Sequence, residues 1–173
     1  RRVLFRSMLY EQQKLYFLGQ TQLRNDSTQI YCQKGWYDVQ TEAGALYKHA
    51  EIYKKNYIIK GDTLLINTKL NDYEGRGAVY FKDLDQQLAL LGEKAIFSDT
   101  KHSAYVTGSS LGFLKYQEDT LYFHADTLYL ERDTLNRSKY LSANKNFRFL
   151  HPDLQGIADS TRFSFDEQVL KMS

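Results

Sequence analysis

The chain has one cysteine, Cys32, one proline, Pro152, and one tryptophan, Trp36. A single cysteine excludes an intrachain disulfide, and in this strand-rich context it reads as a small buried residue. So little proline is unusual for a β-sandwich held together by many tight turns. No apolar run reaches the roughly 18 residues that a membrane-spanning helix needs. The opening Arg1-Arg2-Val3-Leu4-Phe5-Arg6 has the charge of a signal-peptide start with no apolar stretch behind it. It is therefore expected to be a fragment or mature form that begins inside a strand. Neither sign of charge dominates: 23 Lys and Arg against 21 Asp and Glu give +2, which argues against a dedicated nucleic-acid face. The sequence has no glycine-rich phosphate loop and no Ser-His-Asp pattern. His49, His102, His124 and His151 share no metal-ligand spacing, so neither a cofactor nor an enzymatic activity is expected.

Aromatic residues are plentiful. The chain carries 14 Tyr and 10 Phe, side chains that suit the half-buried surface of a pleated strand. At 42% hydrophobic and 25% charged the chain has the composition of a folded domain.

The order within the sequence is that of a tandem array. A small residue, polar residues and then alternating apolar residues recur at 32–38, 61–67, 92–98, 125–131 and 158–164. A degraded earlier copy ends at Met8-Leu9-Tyr10-Glu11. Second apolar stretches follow at 15–19, 45–48, 75–81, 104–108 and 147–150, with turns such as Asn71-Asp72-Tyr73-Glu74-Gly75 between them. One parity is apolar (Leu64 and Ile66, Ala95 and Phe97, Val79 and Phe81, Phe147 and Phe149), the mark of a strand with one face in a core or groove. The other parity holds Trp36, Leu65, Ile96 and Tyr129, so the outer face is expected to be partly covered. The stretch 84–95 has some helical spacing at Leu88, Leu91 and Ala95, but the repeat predicts a strand there.

A two-strand unit of this size cannot bury its own apolar face, so units must stack. The expectation is one all-β domain over 1–173, with the first strands forming one antiparallel sheet and the second strands a facing one. The inward apolar candidates are Phe17, Leu64, Ile66, Val79, Phe81, Phe97, Val106, Leu128, Leu130, Phe147, Phe149 and Phe163. They fit an open groove or a closed core equally well.

Several phrases resemble the OstA-like relatives of the LptA-type lipopolysaccharide transport family. They are Ile30 to Asp38, Ile59-Lys60-Gly61-Asp62-Thr63-Leu64, Ser103 to Gly108, Asp119 to Leu128 and Asp153 to Ser160. The resemblance runs from about Leu9 to Phe165. It implies a β-jelly roll likened to a folded taco, a periplasmic location and a groove lined by those twelve residues for the acyl chains of lipopolysaccharide (lipid A). It also implies end-to-end stacking on LptC-like and LptD-like domains, or on further copies of the chain, in outer-membrane biogenesis.

Other features have plainer readings beside functional ones. Lys54 to Lys60, with Arg76 and Lys82, could meet lipid A phosphates or could be a solvated turn and a lysine-protected edge strand. Asp-Thr-Leu at Asp62, Asp119, Asp126 and Asp133 resembles an O-glycosylation acceptor, against a turn leading into a strand. Asn136-Arg137-Ser138 matches an N-glycosylation sequon. Asp83 and Asp85 are expected in turns. The competing functions are a purely structural stack and a carbohydrate binder that uses exposed Tyr31, Tyr73, Tyr105 and Tyr122.

Overall fold

A computed structural model describes residues 2–5, 7–24, 26–116, 118–135 and 137–173, without the side chains of 2–5 and 116. The described residues are all-β. The strands are β1 (Arg2–Phe5), β2 (Met8–Glu11), β3 (Lys14–Phe17), β4 (Thr21–Arg24), β5 (Thr28–Cys32), β6 (Lys34–Asp38), β7 (Ala43–Lys54), β8 (Tyr57–Asn67), β9 (Asp72–Asp83), β10 (Leu88–Ser98), β11 (Ser103–Tyr116), β12 (Asp119–Arg132), β13 (Ser138–His151), β14 (Leu154–Ser164) and β15 (Val169–Met172). All fifteen belong to one antiparallel sheet. The stretch 84–95 is a turn followed by β10, as the repeat predicts.

The expected pair of separate sheets is replaced by strands long enough to belong to both walls. From β7 to β14 each strand runs 11 to 14 residues and its ladder slips in the middle. The slips fall between Tyr47 and Ala50, Lys60 and Thr63, Thr107 and Ser110, His124 and Thr127, and Asn144 and Phe147. At these points alternate strands hold consecutive residues at positive φ: Lys48 and His49, Gly77 and Ala78, Gly108 and Ser109, Lys145 and Asn146. Two left-handed residues in a row turn the strand as a bulge does. The neighbouring strand meets each bend with the small-then-acidic start of the repeat. A Cβ on Gly77 would lie 2.6 Å from the Asp62 carboxylate, and one on Gly108 2.6 Å from Glu93 Cβ. Asn146 Nδ2 donates to Asp126 at 3.1 Å. The recurring motif is therefore the hinge of the sheet.

The bends bring the two halves of the sheet together. Phe81 pairs in the ladder with Ile59 and Leu90, and Phe97 with Tyr73 and Ala104. The two rings are not ladder partners, yet they stack with centroids 5.2 Å apart, so one wall packs face to face on the other. Inward residues form continuous rows across the strands: Ile30, Ile52, Ile59, Phe81 and Leu90 on one wall, Ile66, Tyr73, Phe97, Ala104 and Leu130 on the other. The apolar parity is the inward one, and Ile96 of the opposite parity is 44% exposed.

At the N-terminal end the fold changes character. Here the bend is an interruption of the strand, so β4 and β5 are separate from β3 and β6. β7 pairs with both β5 and β6, and the sheet forks into the branches β1-β4-β5 and β2-β3-β6.

Candidate functional site

The twelve inward candidates do come together. Eleven of them, all but Phe163, are buried at 7% exposure or less, and the half-buried Phe163 packs against the same cluster. Along the middle of the stack these residues pack against one another. Phe81 and Phe97 fill the space between the walls, and Tyr57 lies against Phe81 at 5.9 Å.

Polar side chains from both rows of turns close the mouth above this column. Lys54 Nζ at the end of β7 donates to Asp99 Oδ2 at 2.9 Å, in the turn after β10. The Tyr57 hydroxyl donates to Asp99 at 2.8 Å. Arg132 Nη2 reaches Asp99 Oδ1 at 3.2 Å, the Ser98 carbonyl at 3.0 Å and the Ser103 carbonyl at 3.4 Å. Its guanidinium stacks 5.2 Å from the Tyr57 ring, and Lys54 sits 4.9 Å from the ring of Tyr73. One turn further along, Ser138 donates to Asp83 of the opposite wall. Burial pushes the Asp99 carboxyl up. Hydrogen bonds from Lys54 and Tyr57 and the charges of Lys54 and Arg132 outweigh it, and the group is held below the ordinary carboxylate value. Burial likewise lowers Lys54, but Tyr73 and Asp99 hold its ammonium above the ordinary value. The ties work as ion pairs around neutral pH.

The fork leaves a different space. Between the two branches lies a cavity of about 340 Å³, lined by Leu15, Phe17, Tyr37 and Val39 on one side and Leu23, Arg24, Thr28 and Ile30 on the other, with Ile66 of β8 and Thr68 just after it at its back. Its size is at the lower end for small-molecule sites, and an apolar lining with a few polar groups is typical of them. Val39 at the rim is 49% exposed. Tyr37 and Thr68 share a hydrogen bond of 2.7 Å. Arg24 is the cation in the lining. Of the twelve candidates only Phe17 and Ile66 line this cavity. The other walls come from residues that period-two patterning did not single out. The signal for them lies in the breaks at 18–20 and at Gln33 that separate the branches.

The basic stretch 54–60 divides. Lys54 ties the mouth, Lys60 pairs with Glu51 at 3.2 Å on the outer face and Lys55 lies exposed in a turn. Arg76 pairs with Glu74 at 2.8 Å, and Lys82 is half-buried. The expected lysine-protected edge is absent, because β7 and β8 lie inside the sheet order. Asp85 is in a turn as expected. Asp83 instead is the buried last residue of β9 (3% exposed), accepting the amides of Asp85 and Gln86 at 2.9 and 3.0 Å.

Tyr31, Tyr73, Tyr105 and Tyr122 do not form the exposed sugar platform expected of them. Tyr73 is 3% exposed and faces the interior, while Tyr105 and Tyr122 are 38% and 45% exposed on the outside. Tyr31 packs edge-on against Tyr53 at 5.7 Å. The four histidines stay apart in different strands and turns, and among the described residues no group of three His, Cys, Asp or Glu could hold a metal.

Asp62 and Asp126 belong to bends, Asp119 starts β12 and Asp133 caps a turn by accepting the amide of Leu135 at 2.8 Å. Of the sequon, Asn136 lies outside the described residues, as do Arg1 and Arg6 of the opening. Cys32 is a buried strand residue, its thiol pushed up to about 11 by burial. Among the described residues no helix is long and apolar enough to cross a membrane. The sequence matches no protein-family model and no curated protein.

Proposed function

We propose that the protein is a non-catalytic lipid-binding module of the bacterial envelope, of the β-taco or jelly-roll kind. In this reading it takes acyl chains of lipopolysaccharide (lipid A) in the periplasm and passes them toward the outer membrane. The observation that carries it is the apolar chamber at the fork, where the buried rows reach the surface between two strand branches. Each acyl CH₂ taken from water into such a lining gains about 0.8 kcal/mol, so even a short length of chain is worth holding. Stacking on LptC-like or LptD-like domains, or on another copy, is supported by the apolar residues at the two ends of the sheet. Leu9 and Tyr10 are 49% and 61% exposed at one end, Leu154 and Ile157 62% and 80% at the other. Sheet edges of this kind accept further strands.

A second reading, a purely structural stack, draws on the middle of the molecule, where stacked aromatics and a tied mouth hold the two walls together. Photo-crosslinking residues at Leu23 and Val39, with Lys69 as an outward control, separate the two when the protein is mixed with lipid A. Crosslinks at the two chamber positions and none at Lys69 are the expected result. A folded protein that gives none at Leu23 or Val39 returns the reading to a scaffold.

A further inference from the structure

The cluster at the mouth carries more donors than its acceptors can satisfy. Arg132 has a side chain only 2% exposed, and its Nε and Nη1 have no hydrogen-bond partner among the described residues. Leaving such donors dry is costly for a charged group. Beside it are a second cation, Lys54, and the hydroxyls of Tyr57 and Tyr73, and the one carboxylate that ion-pairs with both cations is Asp99. Both Asp99 oxygens are already occupied: Oδ1 by Arg132 and Tyr57, Oδ2 by Lys54 and Tyr57. Asp99 sits at the start of a turn whose next residues, Thr100 and Lys101, are exposed, so it can leave without disturbing a strand. Directly beneath lies the Tyr57, Phe81, Phe97 column of the interior.

We propose that this cluster is an exchangeable phosphoryl seat in which Asp99 is the protein's own stand-in for the ligand anion. A phosphoryl group brings three terminal oxygens, enough to replace Asp99 on Nη2 of Arg132, take one of the adjacent free donors along the same guanidinium edge and still accept from Lys54 and Tyr57. When it enters, Asp99 swings to solvent, the tie between the two rows of turns is released, and the apolar part of the same ligand lies toward the fork chamber, whose lining residues Thr28 and Ile66 are the ladder partners of Lys54 and Tyr73. The inference rests on the acyl-binding reading above for the ligand's apolar half, and the phosphate chemistry is tested separately from it.

The experiment compares three probes by calorimetry: lysophosphatidic acid, a monoacylglycerol of the same chain, and inorganic pyrophosphate. They are run on the native chain and on Lys54→Met and Asp99→Asn, each first shown to be folded by circular dichroism. The native chain should bind the phosphorylated amphiphile about tenfold more tightly than the neutral one, the size of one charged hydrogen bond. Lys54→Met should reduce that preference severalfold, with Arg132 still holding the phosphoryl group; an undiminished preference removes Lys54 from the seat and overturns the proposal. Asp99→Asn should tighten the phosphorylated probe, because its competitor is gone. A merely structural Asp99 would weaken or not affect it, and that result overturns the proposal. Equal affinity for the two amphiphiles overturns the seat and leaves the acyl chamber standing. Pyrophosphate binding with the same variant pattern, and no amphiphile binding, supports the seat as one for free phosphates while the acyl reading falls. Binding of none of the three overturns both.

Discussion

The N-terminal fork and the middle of the stack are built from the same repeat, yet one encloses a chamber and the other a packed core. The difference lies in how each strand negotiates the bend. From β7 onward the chain passes through it as a bulge, so both halves of a strand are joined and pull their walls to contact distance, as the Phe81 and Phe97 rings record at 5.2 Å. In β3 to β6 the chain leaves one wall at Leu18 to Gln20 and at Gln33, and the two branches diverge from β7 with space between them. Continuity of the strand through a bend decides whether an apolar interior is packed or open.

The comparison is broken most severely from within the core. Phe81→Ala removes a ring that is 1% exposed and stacked between walls, and should cost about 4 kcal/mol by the usual range for buried aromatics. Leu23→Ala at the chamber wall, already bordering a cavity, should cost about 1 kcal/mol, since it opens little new void. Urea unfolding of the two variants measures the contrast. Equal losses would mean that the fork is packed as tightly as the middle.

The mouth comes next. Asp99→Asn leaves Lys54 and the buried Arg132 without their shared counter-charge, at a cost of about 3 kcal/mol near neutral pH. The sign with pH follows from the carboxyl being held below its ordinary 3.8. Its contribution is complete above the unfolded value and lost as pH falls through the lower folded one. Unfolding followed from pH 7 to pH 2 should therefore show a steeper acid loss in the native protein than in the variant, the two curves converging at the acid end. Parallel curves would remove Asp99 from the tie.

A smaller effect than at the mouth sharpens the account of the bend. Gly108 has φ +85°, and a Cβ there would meet Glu93 at 2.6 Å. Gly108→Val should cost about 2 kcal/mol from the left-handed backbone alone. Hydrogen exchange should show the loss centred on β10 to β12, with the fork strands β3 to β6 unchanged. A loss spread evenly over the sheet would contradict the local hinge.

Much of this architecture is legible in the residues. Alternation in 64–66, 79–81, 95–97 and 147–149 fixes which side chains go inside, because strand side chains alternate faces whatever the tertiary fold. The small-then-acidic repeat start is legible as a motif but not as a hinge, since its partner, the left-handed pair at 77–78 or 108–109, lies on the next strand and one of each pair is not glycine. The chamber walls escape because Leu15, Leu23 and Val39 follow no single alternation once the strands are broken. The mouth escapes altogether: Lys54 and Asp99 are 45 residues apart, and the lysines read more readily as a solvated turn and a protected edge strand.

The sequence by itself determined an all-β chain with an inward apolar parity and a repeated punctuation, because those depend on local periodicity and turn chemistry. Only the tertiary structure decided that the strands run through both walls, where the interior is sealed and where it opens. Those outcomes depend on contacts between residues far apart in the chain, and two walls built from identical patterns can meet or stand apart.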